Sequence, residues 1–272
     1  MRRTTTDANG NYIFEFHPDG DGTTQEWHVS AYNHDGTAYV NSFNNPGVTA
    51  ELPEFAIPDS GVSRWTYDEG SGTTASDSWG SNDGAITDAT YSTDAEIGTH
   101  SLAFNGTSAF VDMGDVSAFD PGTGELSWSL WVKSGSPVGG DPGSSSGYIF
   151  DKGIFSGGYG LRSVDGTDLE FVLGDGTATV RPSTALSWDD TWTHTVATWS
   201  GETATLYVDG SQVDAVTDAG LGSVAASDPL AYGVRTNKDE YYAGLQDDPR
   251  VYDTELTGSA VSNLYNTGSI NG

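Results

Sequence analysis

The residues of this chain that could do chemistry are carboxylates and aromatic rings. Its 272 residues hold 39 Asp and Glu, five His and no Cys. Glycoside hydrolysis needs two carboxyl groups about 5 Å apart for retention and further apart for inversion. On a strand, residues i and i+2 share a face, and Asp168-Leu169-Glu170 is the nearest such pair. Nucleophilic catalysis has less to work with: no Cys and no Gly-x-Ser-x-Gly elbow occur, and His17, His28, His34, His100 and His194 lack metal-ligand spacing. No catalytic residue is assigned, and the expected function is non-enzymatic.

Binding chemistry is better supplied. Aromatic rings stack on sugar rings while neighbouring carboxylates and amides hydrogen-bond the hydroxyls. Trp79, Trp131, Tyr148, Tyr159, Trp188, Tyr241 and Tyr242 fall in stretches that read as loops or outward-facing turns. Of these, Trp131, Tyr148, Tyr159, Tyr241 and Tyr242 form the expected ligand-binding set. The Gly, Ser and Pro-rich stretch from Gly135 to Gly147 is long enough to expect ligand or partner contact there.

Those residues need a scaffold, and composition bounds it. Ten basic residues against 39 acidic ones give a formal charge of -29. Nucleic acid is therefore not an expected partner, because phosphate contacts require Lys and Arg. Aromatic content of 11% and clear strand periodicity argue against disorder. The acidity instead fits a high-salt source, haloarchaeal or haloarchaeal-viral in type, where molar ions screen self-repulsion. No apolar run reaches the roughly 20 residues of a membrane span, and Met1-Arg2-Arg3 is not followed by a signal-peptide core.

The strand signal is strongest from Trp192 to Gly210, where two alternating aromatic and β-branched runs flank a polar turn at Ser200 to Thr203. Alternation places His194 and Val196 on one face and Ala197 and Trp199 on the other, as in a strand covered on both sides. In Leu126 to Lys133, the residues Leu126, Trp128, Leu130 and Val132 should face the core, with Trp131 opposite. Further strands are expected at Tyr148 to Lys152, Tyr159 to Ser163, Asp168 to Leu173 and Ala178 to Arg181. Leu256 to Tyr265 reads as a helix capped by Thr257, with Val261, Leu264 and Tyr265 on its buried side.

Trp192-Thr193-His194-Thr195-Val196-Ala197 followed by Leu206-Tyr207-Val208-Asp209-Gly210 resembles the laminin-G-like, concanavalin A-type jelly rolls. Trp65 to Gly80, the paired segments Ser101 to Gly106 and Phe110 to Met113, and Tyr242 to Tyr252 extend that resemblance from Val62 to about Asn266. It implies an all-β fold, a concanavalin A-like jelly-roll sandwich over residues 60–272. The Glu-x-Asp-x-x-Glu pattern of the hydrolases that share this fold does not occur. Pro249 departs from the family pattern and should interrupt the ladder.

The resemblance also implies a structural calcium ion at a sheet edge. Asp247 is then the best side-chain ligand, with Asp77 and the Asn105-Gly106 turn next. Turn stabilisation is the alternative role for Asp77 and Asn105. Asn105-Gly106-Thr107 is also an N-glycosylation sequon.

Residues 1–59 are expected to be a small N-terminal β unit. Strands are expected at Asn11 to Phe16, Glu26 to Tyr32 and Tyr39 to Phe43, and Asp7 to Tyr12 resembles the turn and strand of carboxypeptidase-regulatory-like sandwiches. A sandwich beginning on that motif would lack strands, so the unit is expected to dock on a neighbour, and the protein to be a homo-oligomer; an independent mini-sandwich is the alternative. Together these expectations describe an extracellular or virion-surface protein, a decoration or attachment component that binds a glycan or host surface. The alternative is a carbohydrate-binding module of a secreted hydrolase or adhesin.

Overall fold

The computed structural model describes residues 61–135 and 146–270, together with the backbone of Trp27–Tyr32 and Ala38–Phe43. Contacts divide the chain into two compact units, Met1–Pro53 and Glu54–Gly272. In the first, β1 (Trp27–Tyr32) and β2 (Ala38–Phe43) pair antiparallel, Trp27 opposite Phe43. The strand expected at Asn11 to Phe16, the carboxypeptidase-like motif, His17 and His34, and most of the Gly135 to Gly147 stretch lie outside the described residues.

The second unit opens with β3 (Ser63–Arg64), β4 (Thr74–Ala75), β5 (Gly84–Thr87) and β6 (Thr90–Ser92). Then come β7 (Ser101–Asn105), β8 (Phe110–Asp112), β9 (Leu126–Gly135), β10 (Gly147–Lys152), β11 (Tyr159–Val164) and β12 (Asp168–Gly174). The chain continues through β13 (Thr179–Val180), β14 (Ser183–Ala185), β15 (Asp189–Trp199), β16 (Thr203–Val208) and β17 (Ser211–Thr217). It closes with β18 (Ala231–Tyr232), β19 (Ala243–Tyr252) and the helix α1 (Gly258–Thr267).

These strands form two sheets. One has eight strands in the order β17-β16-β15-β9-β19-β7-β6, with β3 also on β19. The other has nine, β13-β12-β11-β10-β18-β8-β5-β4, with β14 also on β12. Period-two alternation explains the layering. Leu126, Trp128, Leu130 and Val132 of β9 and Ala197 and Trp199 of β15 enter one core with Ile149, Phe150, Leu161, Leu169 and Phe171 of the facing sheet. Trp128 is its hub, 4.2 Å from the Tyr159 ring and 5.2 Å from Phe171. The architecture is the expected jelly-roll sandwich.

The outer side of the eight-stranded sheet is covered by α1, whose Val261 and Leu264 pack with Val196, Tyr207 and Tyr252. Thr257 caps the helix by accepting the Ala260 N–H, and Gly268 ends it in the left-handed region at φ 72°. Tyr265, expected on the buried side, is 37% exposed, with one ring face stacked on Trp131.

Ser101–Asn105 and Phe110–Asp112 do not form a hairpin: β7 pairs with β6 and β19 in one sheet, while β8 pairs with β5 and β18 in the other. Asn105 turns the chain between layers, its Oδ1 accepting the N–H groups of Thr107, Ser108 and Ala109. At Pro249 the ladder with β9 does shift register, between Asp247 and Arg250, and Asp248 takes a positive φ of 51°. The Pro249 carbonyl is turned to the Trp65 N–H, and the bulge directs two acids inward, Asp247 and Asp248, both buried.

Candidate functional site

Most of the expected ligand-binding rings lie inside the protein. Tyr159 and Tyr242 have no exposed surface; Tyr159 donates to the Phe119 carbonyl at 2.8 Å and Tyr242 to the Lys133 carbonyl at 3.1 Å. Both are aromatic bodies that bury well once the hydroxyl finds a partner. Trp131 does face away from the core, as alternation requires, but α1 and His194 close over it, and it is buried. Trp79 is half-buried against Tyr252, 5.3 Å away. Trp188 is half-buried and lines a shallow cleft of about 380 Å³ with Gly166, Thr167, Ala185, Leu186 and Ser187.

Tyr148 and Tyr241 remain near a surface, on the outer side of the nine-stranded sheet. Tyr148, itself buried, groups there with Ile154 and Val172. Its hydroxyl accepts from Arg162 Nη1 at 3.0 Å, and Arg162 holds Glu170 through Nε and Nη2 at 2.9 and 2.6 Å. Glu170 of the Asp168/Glu170 pair is thus already engaged by a cation.

Over this patch two loops converge. The turn after β10 carries Phe155, 60% exposed and the most exposed large apolar side chain among the described residues. The loop between β18 and β19 carries Arg235, whose guanidinium lies 4.8 Å from the Phe155 ring and 5.9 Å from that of Tyr148. Asp151 staples the loops together. One carboxylate oxygen accepts the Ile154 N–H at 3.1 Å, and the other accepts the Thr236 N–H and hydroxyl, both at 2.9 Å. Burial raises the Asp151 pKa, which these donors partly oppose.

Glycines let the turn lie flat. Gly153 sits at φ 66°, and at Gly160 a side chain would meet Ile154 Cγ2 at 2.7 Å. Tyr241 closes the second loop by bridging to Val234. Asn237, Lys238, Asp239 and Glu240 line that loop, with Asn237 Nδ2 donating to Asp239 at 2.7 Å and Lys238 Nζ 4.2 Å from the Phe110 ring. The face therefore offers an exposed ring flanked by cations, carboxylates and an amide. Phe155 and Arg235 were not singled out by sequence; the signal for Phe155 was an apolar residue inside the Gly-rich turn Gly153-Ile154-Phe155-Ser156-Gly157-Gly158.

Two of the expected metal ligands, Asp77 and Asn105, are engaged by backbone N–H groups. Both Asp77 oxygens serve its own loop, Oδ1 accepting from Arg64, Trp79 and Gly80 and Oδ2 from Asn82. Against the cost of burial, those N–H groups hold its pKa below the usual value. Asn105 is spent on the turn already described, where Gly106 supplies a φ of 75°. Asp247 is different. Its Oδ2 accepts the N–H groups of Glu96 and Ile97 at 2.8 and 2.9 Å, while Oδ1 is buried with no hydrogen-bond partner.

Burial, with the nearby charges of Asp248 and Asp68, pushes the Asp247 pKa up to about 7. Asp68 grips the same segment three residues on, accepting from the Thr99 and His100 N–H groups. An orphaned, charge-strained carboxylate is what a bound cation would relieve. No cluster of three or more His, Cys, Asp or Glu able to hold a metal occurs among the described residues, so carbonyls and water would complete such a site.

A two-sheet sandwich with a solvent-facing aromatic and polar loop face is the build of a lectin-type binding domain. Residues 105–262 match the concanavalin A-like lectin/glucanases superfamily in its laminin G type 3 branch, and the chain belongs to that family. Among solved structures it resembles the binding domain of Paraclostridial Mosquitocidal Protein 1, at 15% identity and a TM-score of 0.64, covering 77% of this chain and 52% of that one. The receptor binding domain of botulinum neurotoxin C/D mosaic serotype gives 14%, 0.62, 76% and 51%. This chain thus spans about half the length of those domains.

Domain 4 of AbnA, a GH43 extracellular arabinanase from Geobacillus stearothermophilus solved with arabinotriose, gives 22% and 0.58, covering 75% of this chain and 97% of that domain. At these identities the likeness is one of fold. No curated protein matches the sequence. Family and neighbours are consistent with a binding domain.

Proposed function

We propose that residues 60–272 form a non-enzymatic glycan-binding domain whose ligand rests on Phe155, between the turn after β10 and the loop between β18 and β19. The observation that carries this reading is the exposure of Phe155, 60% free on a face where Arg235 fixes its ring and an amide and two carboxylates stand beside it. An aromatic plate beside hydrogen-bonding groups is the chemistry of sugar recognition. The likeness to the arabinanase domain, which was solved in complex with arabinotriose, supports it. Phe155→Ala should weaken binding of a retained glycan by about tenfold, the scale of one aromatic anchor, with unchanged thermal unfolding; undiminished affinity would contradict it.

A structural calcium ion at Asp247 belongs to the same reading. Asp247 Oδ1 and the Asp68 carboxylate would supply side-chain oxygens, and the ion would fix the segment from Glu96 to His100 against β19. Calcium should raise the unfolding temperature of the wild type and leave Asp247→Asn unchanged; an equal rise in both would remove Asp247 from the site.

The wider setting is a surface-displayed attachment or decoration protein of a halophile, extracellular or on a virion, joined to a larger assembly through residues 1–59 and oligomeric there. Its support is the charge of -29 and the separate first unit. Light scattering in molar KCl for the whole chain and for residues 60–272 tests it: an oligomer that needs residues 1–59 is expected, and a monomer in both would contradict it. A module of a secreted hydrolase is favoured by one observation, the arabinanase domain that this chain covers almost completely.

A further inference from the structure

Cations are scarce in this chain, and their placement is uneven. Of its ten Lys and Arg, eight have described side chains. Four serve the framework. Arg64 and Arg250 share Asp248, Lys133 holds Asp94, and Lys152, with no exposed surface, bonds Asp115 and the carbonyls of Ala226 and Asp228. Arg181 is exposed and donates to Thr179. The other three, Arg162, Arg235 and Lys238, gather on the face that carries Phe155.

Each of the three lies over a ring. Arg162 and Arg235 sit 5.7 and 5.9 Å from Tyr148, Arg235 lies 4.8 Å from Phe155, and Lys238 is 4.2 Å from Phe110. We infer that the glycan bound at this face is anionic, carrying a carboxylate or sulfate that Arg235 and Lys238 receive. The inference rests on the reading of this face as the glycan site and adds the ligand's charge.

Selectivity decides the charge of the ligand. Neutral hydroxyls are met as well by carboxylates and amides, which a chain with 39 acids has everywhere. Cations discriminate only in favour of an anion. Arg235 is held by Asp239 at 3.3 Å and Glu240 at 3.8 Å, and Asp239 is half exposed. Such partly exposed pairs at 3.3 and 3.8 Å are weak and exchange for a ligand that meets the guanidinium fork with two oxygens. Contact with the Phe155 ring at 4.8 Å already restrains the guanidinium, so less side-chain entropy is lost on binding. Lys238 Nζ makes no ion pair among the described residues, and Lys238 lies in the same loop as Arg235, four residues after Val234, whose bridge to Tyr241 closes that loop. The overall charge of -29 repels an anion at long range. Without local cations an acidic glycan would be excluded from this surface.

The test is calorimetric titration of the full chain in molar KCl with two matched pairs, the second member of each being uncharged: a galacturonate oligomer and its carboxyl-reduced form, and a sulfated keratan tetrasaccharide and its desulfated form. At least a tenfold preference for the charged member of one pair is expected, and the pair that shows it separates carboxylate from sulfate. Arg235→Gln combined with Lys238→Gln should abolish the preference with unchanged thermal unfolding, whereas Arg181→Gln should leave it intact. Equal binding of charged and neutral members, weakened by Phe155→Ala, would overturn the anionic assignment and keep the glycan face. No binding of any of the four would overturn both, and a preference that survives the double substitution would overturn the roles of Arg235 and Lys238.

Discussion

Asp247 and His194 both lose water on folding, and their titrations act on stability in opposite directions. Burial, with nearby like charges, raises the Asp247 carboxyl to about 7. Between roughly pH 4 and 7 the native state then holds a proton that the unfolded chain has released, so stability falls as pH rises through that window. His194 is buried, its Nε2 3.0 Å from the Ser129 hydroxyl, and burial with the charge of Arg250 depresses it to about 3. The unfolded chain binds the proton first, so here stability falls as pH drops from about 6.5 toward 3. In chelator, Asp247→Asn should gain stability over wild type on the order of 1 kcal/mol per pH unit across its window, read by urea unfolding at several pH values. A gain independent of pH would show that Asp247 does not titrate there. His194→Gln should show the complementary result, its advantage over wild type growing on acidification.

At the scale of elements, the C-terminal helix is held at both ends. Thr257 caps its start, and Arg250 Nη2 donates to the Gly268 carbonyl at its end at 2.8 Å. Thr257→Ala should cost about 1 kcal/mol. Arg250→Ala should cost about 3–5 kcal/mol, because it strips one of the two cations from buried Asp248 and frees the helix end. Denaturant midpoints separate the two, and equal small losses would mean that the Asp248 network carries little.

The same elements show what was legible in the sequence. Leu126, Trp128, Leu130 and Val132 repeat every second residue, so the core face of β9 could be read directly, as could the β15–β16 hairpin and the Thr257 cap. The separation of β7 from β8 could not, because an Asn-Gly turn looks the same whether it closes a hairpin or carries the chain between sheets. Tyr148, Tyr159 and Tyr242 were misplaced for a related reason: an aromatic next to a turn is exposed or buried according to what the other layer brings over it. Phe155 and Arg235 are 80 residues apart in sequence, and their loops are brought together by the pairing of β10 with β18 and by Asp151, which bonds Ile154 and Thr236 at once.

At the scale of the molecule, the dominant quantity is a charge of -29 on 272 residues. Self-repulsion at low ionic strength should lower stability, and screening should restore it. The unfolding temperature is expected to rise by several degrees between about 0.1 and 2 M KCl, where the Debye length has fallen below about 3 Å; a fall would contradict a high-salt habitat. The same charge makes the Phe155 face stand out, since it is where cations and an exposed ring coincide. A glycan array in molar KCl, run with wild type, Phe155→Ala and Val213→Ser on the exposed edge strand β17, tests that face most directly. The account predicts glycans retained by wild type and Val213→Ser and weakened about tenfold or more by Phe155→Ala. Retention that ignores Phe155, with all three proteins equally folded, would contradict it.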